Sequence, residues 1–268
     1  MKDDEAYRRI VLDSISVCAA YKPKMGRGSS AGYEFEDFQE LYRADAFYNW
    51  FGLDSPLMYA AHRTAGGMTS IYRQIGIGCE RLFRQILIDQ LDLSTEQANW
   101  SYETRASHGK LRRLHLDARI PIPAVRDPGR RRLIKGWMRR AARDLGVAET
   151  VKNTLNGIVF EVRQGYKSKD SKRQNADIAN AATAYVNAYL PCVSVLSNQI
   201  DEDIQTRYRM EKWTVLTGTI GTDNDLRSVY AFMRKIVGYD LAAFFERNSE
   251  ILKAELDRTL HSLLSVKK

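Results

Sequence analysis

The sequence predicts an α/β protein with a mixed central sheet flanked by helices, plus a helical N-terminal region. Three observations predict it. The first hundred residues carry apolar side chains at helical spacing, and beyond Leu114 short apolar runs alternate with helical segments. Two of those runs hold a carboxylate at their centre, Asp117 and Glu161.

In chain order, residues 5–21 read as a helix through Ile10, Val11, Ile15 and Val17, and residues 22–32 as a loop punctuated by Gly, Ser and Pro. An aromatic-rich helical stretch follows with Phe35, Phe38, Leu41, Tyr42, Phe47 and Trp50. Core packing or a dimer contact accounts for those rings better than base stacking. Gly66-Gly67 is expected to break the chain, with Thr69 or Ser70 capping a helix that runs to about residue 91. Leu82, Phe83, Ile86 and Leu87 lie on one side of that helix, which also carries Glu80 and Arg84.

Residues 114–120 then alternate as a strand stopped by Pro121 and Pro123. Residues 128–151 look like a basic helical insertion, and Asn156-Gly157 turns into a strand over 158–163. A polar loop, an Ala-rich helix over 173–189 and a buried strand over 192–196 follow. A polar helix over 201–209, a strand over 213–217 and helices over 223–237 and 240–264 complete the chain. The expected division is a helical region over 1–65 packed on a core over 66–268, with the basic insertion at about 121–154 and C-terminal helices. The strand, helix, strand order across 158–196 requires a parallel pair.

Composition narrows the function. The 41 Lys and Arg against 33 Asp and Glu favour a polyanionic partner. Distribution is more telling, because from Arg105 to Arg143 basic residues dominate and only Asp117 and Asp127 oppose them. The three cysteines, Cys18, Cys79 and Cys192, are far apart and set among apolar neighbours, which suggests neither a disulfide framework nor a zinc site and fits a reducing cytoplasm. No apolar run approaches the roughly 18 residues of a membrane span, and the charged start argues against a secretory signal, so no membrane association is expected.

Hydrolysis of a phosphodiester needs a nucleophilic water, neutralisation of transition-state charge and help for the leaving oxygen. Mg2+ supplies all three and takes hard oxygen ligands, so two or three carboxylates at a sheet edge suffice. Asp117 and Glu161, each in an otherwise apolar strand, fit that requirement, because a charge inside a strand is costly unless it is paired, exposed or metal-bound. As structural groups, each would be a surface carboxylate or an arginine partner.

Phe160-Glu161-Val162-Arg163-Gln164-Gly165-Tyr166, followed by Lys167 to Asn175, resembles the E-x-K strand and following helix start of PD-(D/E)XK restriction endonucleases. The strand of Asp117 stands in the place of that motif's first aspartate, and Glu80 resembles the acidic residue of the core's first helix. The resemblance covers roughly residues 66–218 and implies a restriction-endonuclease-like core. It further implies that Asp117 and Glu161 bind Mg2+, that Glu80 assists, and that a basic side chain after Glu161 orients water or stabilises the transition state. Two departures matter. The lysine position is Arg163, a poor proton shuttle though an adequate charge stabiliser, while Lys167 would share its face if the strand continued. The 44 residues between Asp117 and Glu161 require the insertion to loop out.

For DNA binding, Lys169, Lys172, Arg173, Gln174 and Asn175 stand at a helix start, where lysines meet phosphates and Arg, Gln or Asn read base edges. Arg130, Arg131 and Arg132 of the insertion are further candidates. The function expected is therefore a sequence-specific, Mg2+-dependent type II restriction endonuclease of double-stranded DNA. A homodimer suits a palindromic site, and a cognate DNA methyltransferase is expected in the same system without a stable complex. A repair or junction-resolving nuclease of the same fold, or a non-catalytic basic DNA-binding protein, are the alternatives.

Overall fold

A computed structural model describes residues 2–25, 31–105, 111–166 and 180–264. The chain divides into two units, one of residues 1–78 with 247–268 and one of residues 79–246. The sequence reading divides the chain at 65/66, and the two units divide it after Gly78 and again after Glu246.

The first unit is helical. Helix α1 (Lys2–Ser16) buries Tyr7, Val11 and Ile15, which recur every fourth residue and so line one face. Helix α2 (Phe35–Arg43) is followed by the short α3 (Ala46–Trp50), whose Asp45 cap accepts from the backbone amides of Phe47 and Tyr48. The aromatic stretch splits in its roles. Phe38, Tyr42 and Tyr59 form a buried cluster, whereas Phe47, Trp50 and Phe51 are exposed.

Helix α4 (Pro56–Leu91) runs unbroken through Gly66-Gly67, where the sequence predicts a break, and encloses Thr69 and Ser70. The two glycines serve close approach instead. A methyl group at Gly66 would overlap the Tyr21 ring, and one at Gly67 would press into the Leu263 side chain. Inside the helix, Thr69 returns its hydroxyl to the Ala65 carbonyl rather than capping an end.

The second unit carries the sheet. After α5 (Thr95–Ala98), which starts with a Ser94/Gln97 capping box, β1 (Trp100–Arg105) and β2 (Leu111–Leu116) form an antiparallel pair. Next, β3 (Ala118–Pro121) pairs antiparallel with β4 (Gly157–Arg163), Ala118 opposite Phe160 and Pro121 opposite Gly157. The insertion between them holds α6 (Pro128–Asp144) and α7 (Glu149–Thr154). A helical segment at 180–186, α8, precedes β5 (Tyr189–Val195), which lies parallel to β4 and to β6 (Thr214–Leu216). Strand order is β3-β4-β5-β6. Helix α9 (Glu202–Met210) connects β5 to β6, and α10 (Val229–Phe232) passes into a π turn at Met233–Val237. Helix α11 (Leu241–Leu264) begins in this unit and ends in the other.

Strand β5 begins at Tyr189, earlier than the expected 192, and so contains Pro191. The register explains how a central strand tolerates it. Because β6 pairs only with Cys192, Val193 and Ser194, Pro191 lies beyond the end of that ladder, and its missing N–H removes no β5–β6 bond. The helix expected from 223 starts instead at Val229, where the Ser228 hydroxyl accepts from the Ala231 amide.

Alternation along β4 gives the sheet two different faces. Phe160 meets Phe83 of α4 and Phe232 of α10, with ring centroids 5.2 and 5.7 Å apart, and Phe232 meets Trp137 of α6 at 4.6 Å. On the other face Val159 joins Val193, Val195, Ala181, Ala184, Tyr208 and Trp213. Among the described residues, no helix is long and apolar enough to cross a membrane. The three cysteines are free and buried.

The start of β4 tolerates no side chain. A methyl group at Gly157 would collide with the Ile120 carbonyl and the Tyr189 ring, groups fixed by the two flanking strands. Gly157→Ala should lower the unfolding free energy by about 1–3 kcal/mol. Denaturant titration reads this directly, and an unchanged midpoint would contradict the register of β3, β4 and β5.

Candidate active site

Asp117 is the single residue between β2 and β3, and two bonds tie it to β4. Its amide donates to the Phe160 carbonyl at 2.9 Å, and its Oδ2 accepts from the Val162 amide at 2.7 Å. The side chain thus does the work that a backbone carbonyl would do one step further along a regular ladder. Since Ala118 faces Phe160, this sets Asp117 beside Glu161 across the strand pair. A hydrogen bond from a neutral amide to a carboxylate is about twice as strong as its neutral counterpart, so the tie is well able to hold a strand edge.

Glu161 is buried at 6% exposure, on the same face as Val159 and Arg163. Its carboxylate pairs with the Arg163 guanidinium two residues on, and both side chains are nearly closed to solvent. Burying two charges is tolerable only when their Coulomb attraction and hydrogen bonds offset the lost hydration. Main-chain pairing holds Arg163 in place, as its carbonyl accepts from the Leu196 amide at 2.8 Å.

Helix α4 supplies a third support. The Arg84 Nε donates to the Asp117 carbonyl at 2.6 Å, which fixes the bend between β2 and β3 from the helix side. Glu80 is one helical turn earlier, so helical geometry puts it on the same face of α4 as Arg84. Around the far end of β4, the Tyr166 amide donates to the Gln199 carbonyl at 2.6 Å, and the Tyr166 and Tyr208 hydroxyls meet at 2.7 Å. Tyr102 of β1 donates to the side-chain carbonyl of buried Asn180, joining the hairpin to α8.

The structure thus brings together Asp117, Glu161 and Arg163, with Arg84 as a support that sequence reading left without a role. The signal for Arg84 was its position four residues after Glu80, which marks a shared helix face but not its partner. Strand β4 ends at Arg163. Lys167, Lys169, Lys172, Arg173, Gln174 and Asn175 lie outside the described residues. In the insertion, Arg130 donates to the Ile236 carbonyl at 3.0 Å and Arg131 to the Val125 carbonyl at 2.6 and 2.9 Å. Both guanidiniums are occupied with backbone carbonyls, whereas Arg132 is exposed.

Among the described residues, no three His, Cys, Asp or Glu side chains stand close enough together to hold a metal ion. Asp117 and Glu161 are nonetheless oxygen donors of the kind Mg2+ takes, and that ion keeps several waters of its own. They fit it in donor chemistry as a two-carboxylate site. No family model matches the chain, and no curated protein or solved structure matches it either.

The buried pair yields a prediction about folding alone. Arg163→Met leaves the Glu161 charge in a nearly closed site and should cost about 3–5 kcal/mol, while adding Glu161→Gln should recover a large part of that loss. Equilibrium unfolding of the two single variants and the double variant measures the coupling. Strictly additive losses would show that the two side chains are not paired in solution.

Proposed function

We propose that this chain hydrolyses phosphodiester bonds of double-stranded DNA with Mg2+, as a type II restriction endonuclease of the PD-(D/E)XK kind. The observation that carries the reading is the Asp117 Oδ2 bond to the Val162 amide, which sets one carboxylate beside another across an antiparallel strand pair. The surrounding order supports it: α4, a bent strand bearing the aspartate, the glutamate strand, a helical connection and a parallel strand.

In this reading Asp117 and Glu161 hold the metal, and Glu80 assists. When bound, Mg2+ lowers the pKa of a water and neutralises charge on the scissile phosphate. The Arg84 bond to the Asp117 carbonyl keeps the first carboxylate in register. Arg163 releases Glu161 and turns to the phosphate, where a permanently charged planar guanidinium stabilises developing negative charge. Proton transfer then falls to water or to Lys167, because arginine does not deprotonate in proteins. A homodimer would cut both strands of a palindromic site, a cognate methyltransferase would protect the host DNA, and the cytoplasm would be the compartment where the enzyme meets its DNA.

A second reading has its own observation. Glu161 is paired with Arg163, and Asp117 with the Val162 amide, so both carboxylates also serve as structural groups in a non-catalytic DNA-binding protein.

Incubation with mixed-sequence plasmid and Mg2+ separates the readings: discrete fragments are expected, whereas cutting of branched DNA alone would indicate a repair or junction nuclease. Glu161→Gln should slow single-turnover cleavage by about 10³-fold or more, with duplex binding within a few-fold of wild type. Cleavage by that variant at the wild-type rate would remove Glu161 from the active site.

A further inference from the structure

The basic insertion has a second face that the candidate active site does not use. Helix α6 buries Ile134, Trp137, Met138, Ala141 and Ala142, which packs its apolar side inward. Arg132, Lys135, Arg139 and Arg143 follow one another at spacings of three, four and four residues, which places all four along one side of a helix, turned away from the buried one. All four are exposed. None of the four makes a hydrogen bond or ion pair among the described residues, unlike Arg130, Arg131 and Arg140, which are engaged with Ile236, Val125 and Asp225. The nearby Glu149 forms its ion pair with Lys152, and its carboxylate is held below the usual range first by that hydrogen bond and further by Arg143 and Arg139.

The row also lies on the opposite face of the sheet from Glu161. Trp137 of α6 packs on Phe232, and Phe232 on Phe160. Strand alternation turns Phe160 and Glu161 to opposite faces. Cations on the outer side of α6 therefore cannot reach a phosphate held at Glu161.

We propose that the outer face of α6, through Arg132, Lys135, Arg139 and Arg143, binds the phosphate backbone of duplex DNA away from the site of cleavage. The proposal takes from the proposed function only that the polyanion is DNA. At 1.5 Å per residue the row extends over about 16 Å, against phosphates spaced every ~3.4 Å of axis along each strand, so several can be met at once. A membrane surface suits the face poorly. Helices that lie on bilayers insert an apolar side, and that of α6 is already buried against the sheet. Contacts to phosphate position a duplex without reading its sequence, so this surface adds affinity and leaves base selection to other residues.

The test replaces Arg132, Lys135, Arg139 and Arg143 together by Gln and measures binding of a labelled 30-base-pair duplex, without divalent metal, over a salt series. A control variant loses the same number of charges at Arg9, Lys24, Lys253 and Arg258. Wild type should bind with a steep salt dependence. In the α6 variant log K against log[salt] should flatten by up to roughly 3.6, at ~0.9 for each of four phosphates no longer neutralised, and affinity at ~0.1 M salt should fall at least tenfold. The control variant should keep the wild-type slope, and the thermal midpoint of the α6 variant should stay within a few degrees of wild type. The proposal is overturned if the α6 variant keeps wild-type affinity and slope, if the control loses as much, or if wild type binds anionic phosphatidylserine vesicles but not the duplex. Binding lost in the α6 variant while wild type cuts no DNA would uphold this surface and remove the nuclease reading. Cleavage with unaltered binding would do the reverse.

Discussion

Everything near the candidate active site depends on how one carboxylate closes a strand ladder. At the bend after β2 the backbone of Asp117 still donates to β4, but its side chain, not the carbonyl of the preceding Leu116, takes the next amide along. An edge strand that bends away normally leaves that amide to water. Here the amide binds an anion, and the anion is thereby set against Glu161. The bend and the pairing of two acidic residues are one event.

Two elements make the arrangement tolerable. From the helix side Arg84 takes the Asp117 carbonyl, so the residue is held at its main-chain nitrogen, its main-chain oxygen and its carboxylate. From the strand side Arg163 answers the charge of Glu161. The apolar work is done elsewhere. Phe83, Phe160, Phe232 and Trp137 pack on one face of the sheet, and Val159, Val193, Val195 and Trp213 on the other. A rigid two-sided core is what allows a charged pair to be held in a fixed place at the end of β4.

The parts of this that were legible in the chain share a property: a single physical cause for each pattern. A carboxylate inside the apolar run of β4 is unusual enough to mark Glu161, and the strand, helix, strand order of 158–196 leaves little choice but parallel pairing of β4 with β5. Other features failed because one pattern has two causes. Paired glycines signal a break or a close approach, and only Tyr21 and Leu263, distant in sequence, reveal that Gly66 and Gly67 mean the latter. Strand β1 was missed although Trp100 and Tyr102 alternate with Ser101 and Glu103, because a short polar stretch does not display the partner strand that orders it. Charge in the insertion divides in the same way. Arg130 and Arg131 belong to carbonyls of Ile236 and Val125, a role that composition cannot separate from phosphate binding.

The pair of Glu161 and Arg163 bears on why an arginine stands where the resemblance leads one to expect lysine. A buried ion pair is weak evidence for stability, since well-packed apolar residues of the same volume serve a fold as well or better. In the proposed nuclease, its place in a strand otherwise made of Gly, Ile, Val and Phe is accounted for by a role outside folding. For a group that must transfer a proton, lysine is the better choice, as its pKa moves readily on burial. For a group that must stay charged whether it faces a neighbouring carboxylate or an incoming phosphate, the guanidinium is better, because it matches both through the same planar fork of donors. In the proposed nuclease, Glu161 and an oxyanion would compete for one cation, and substrate arrival would free the carboxylate as it captures the arginine. Such an exchange would cost less than leaving either buried charge alone, and in the proposed nuclease that is what the pair at the end of β4 would serve.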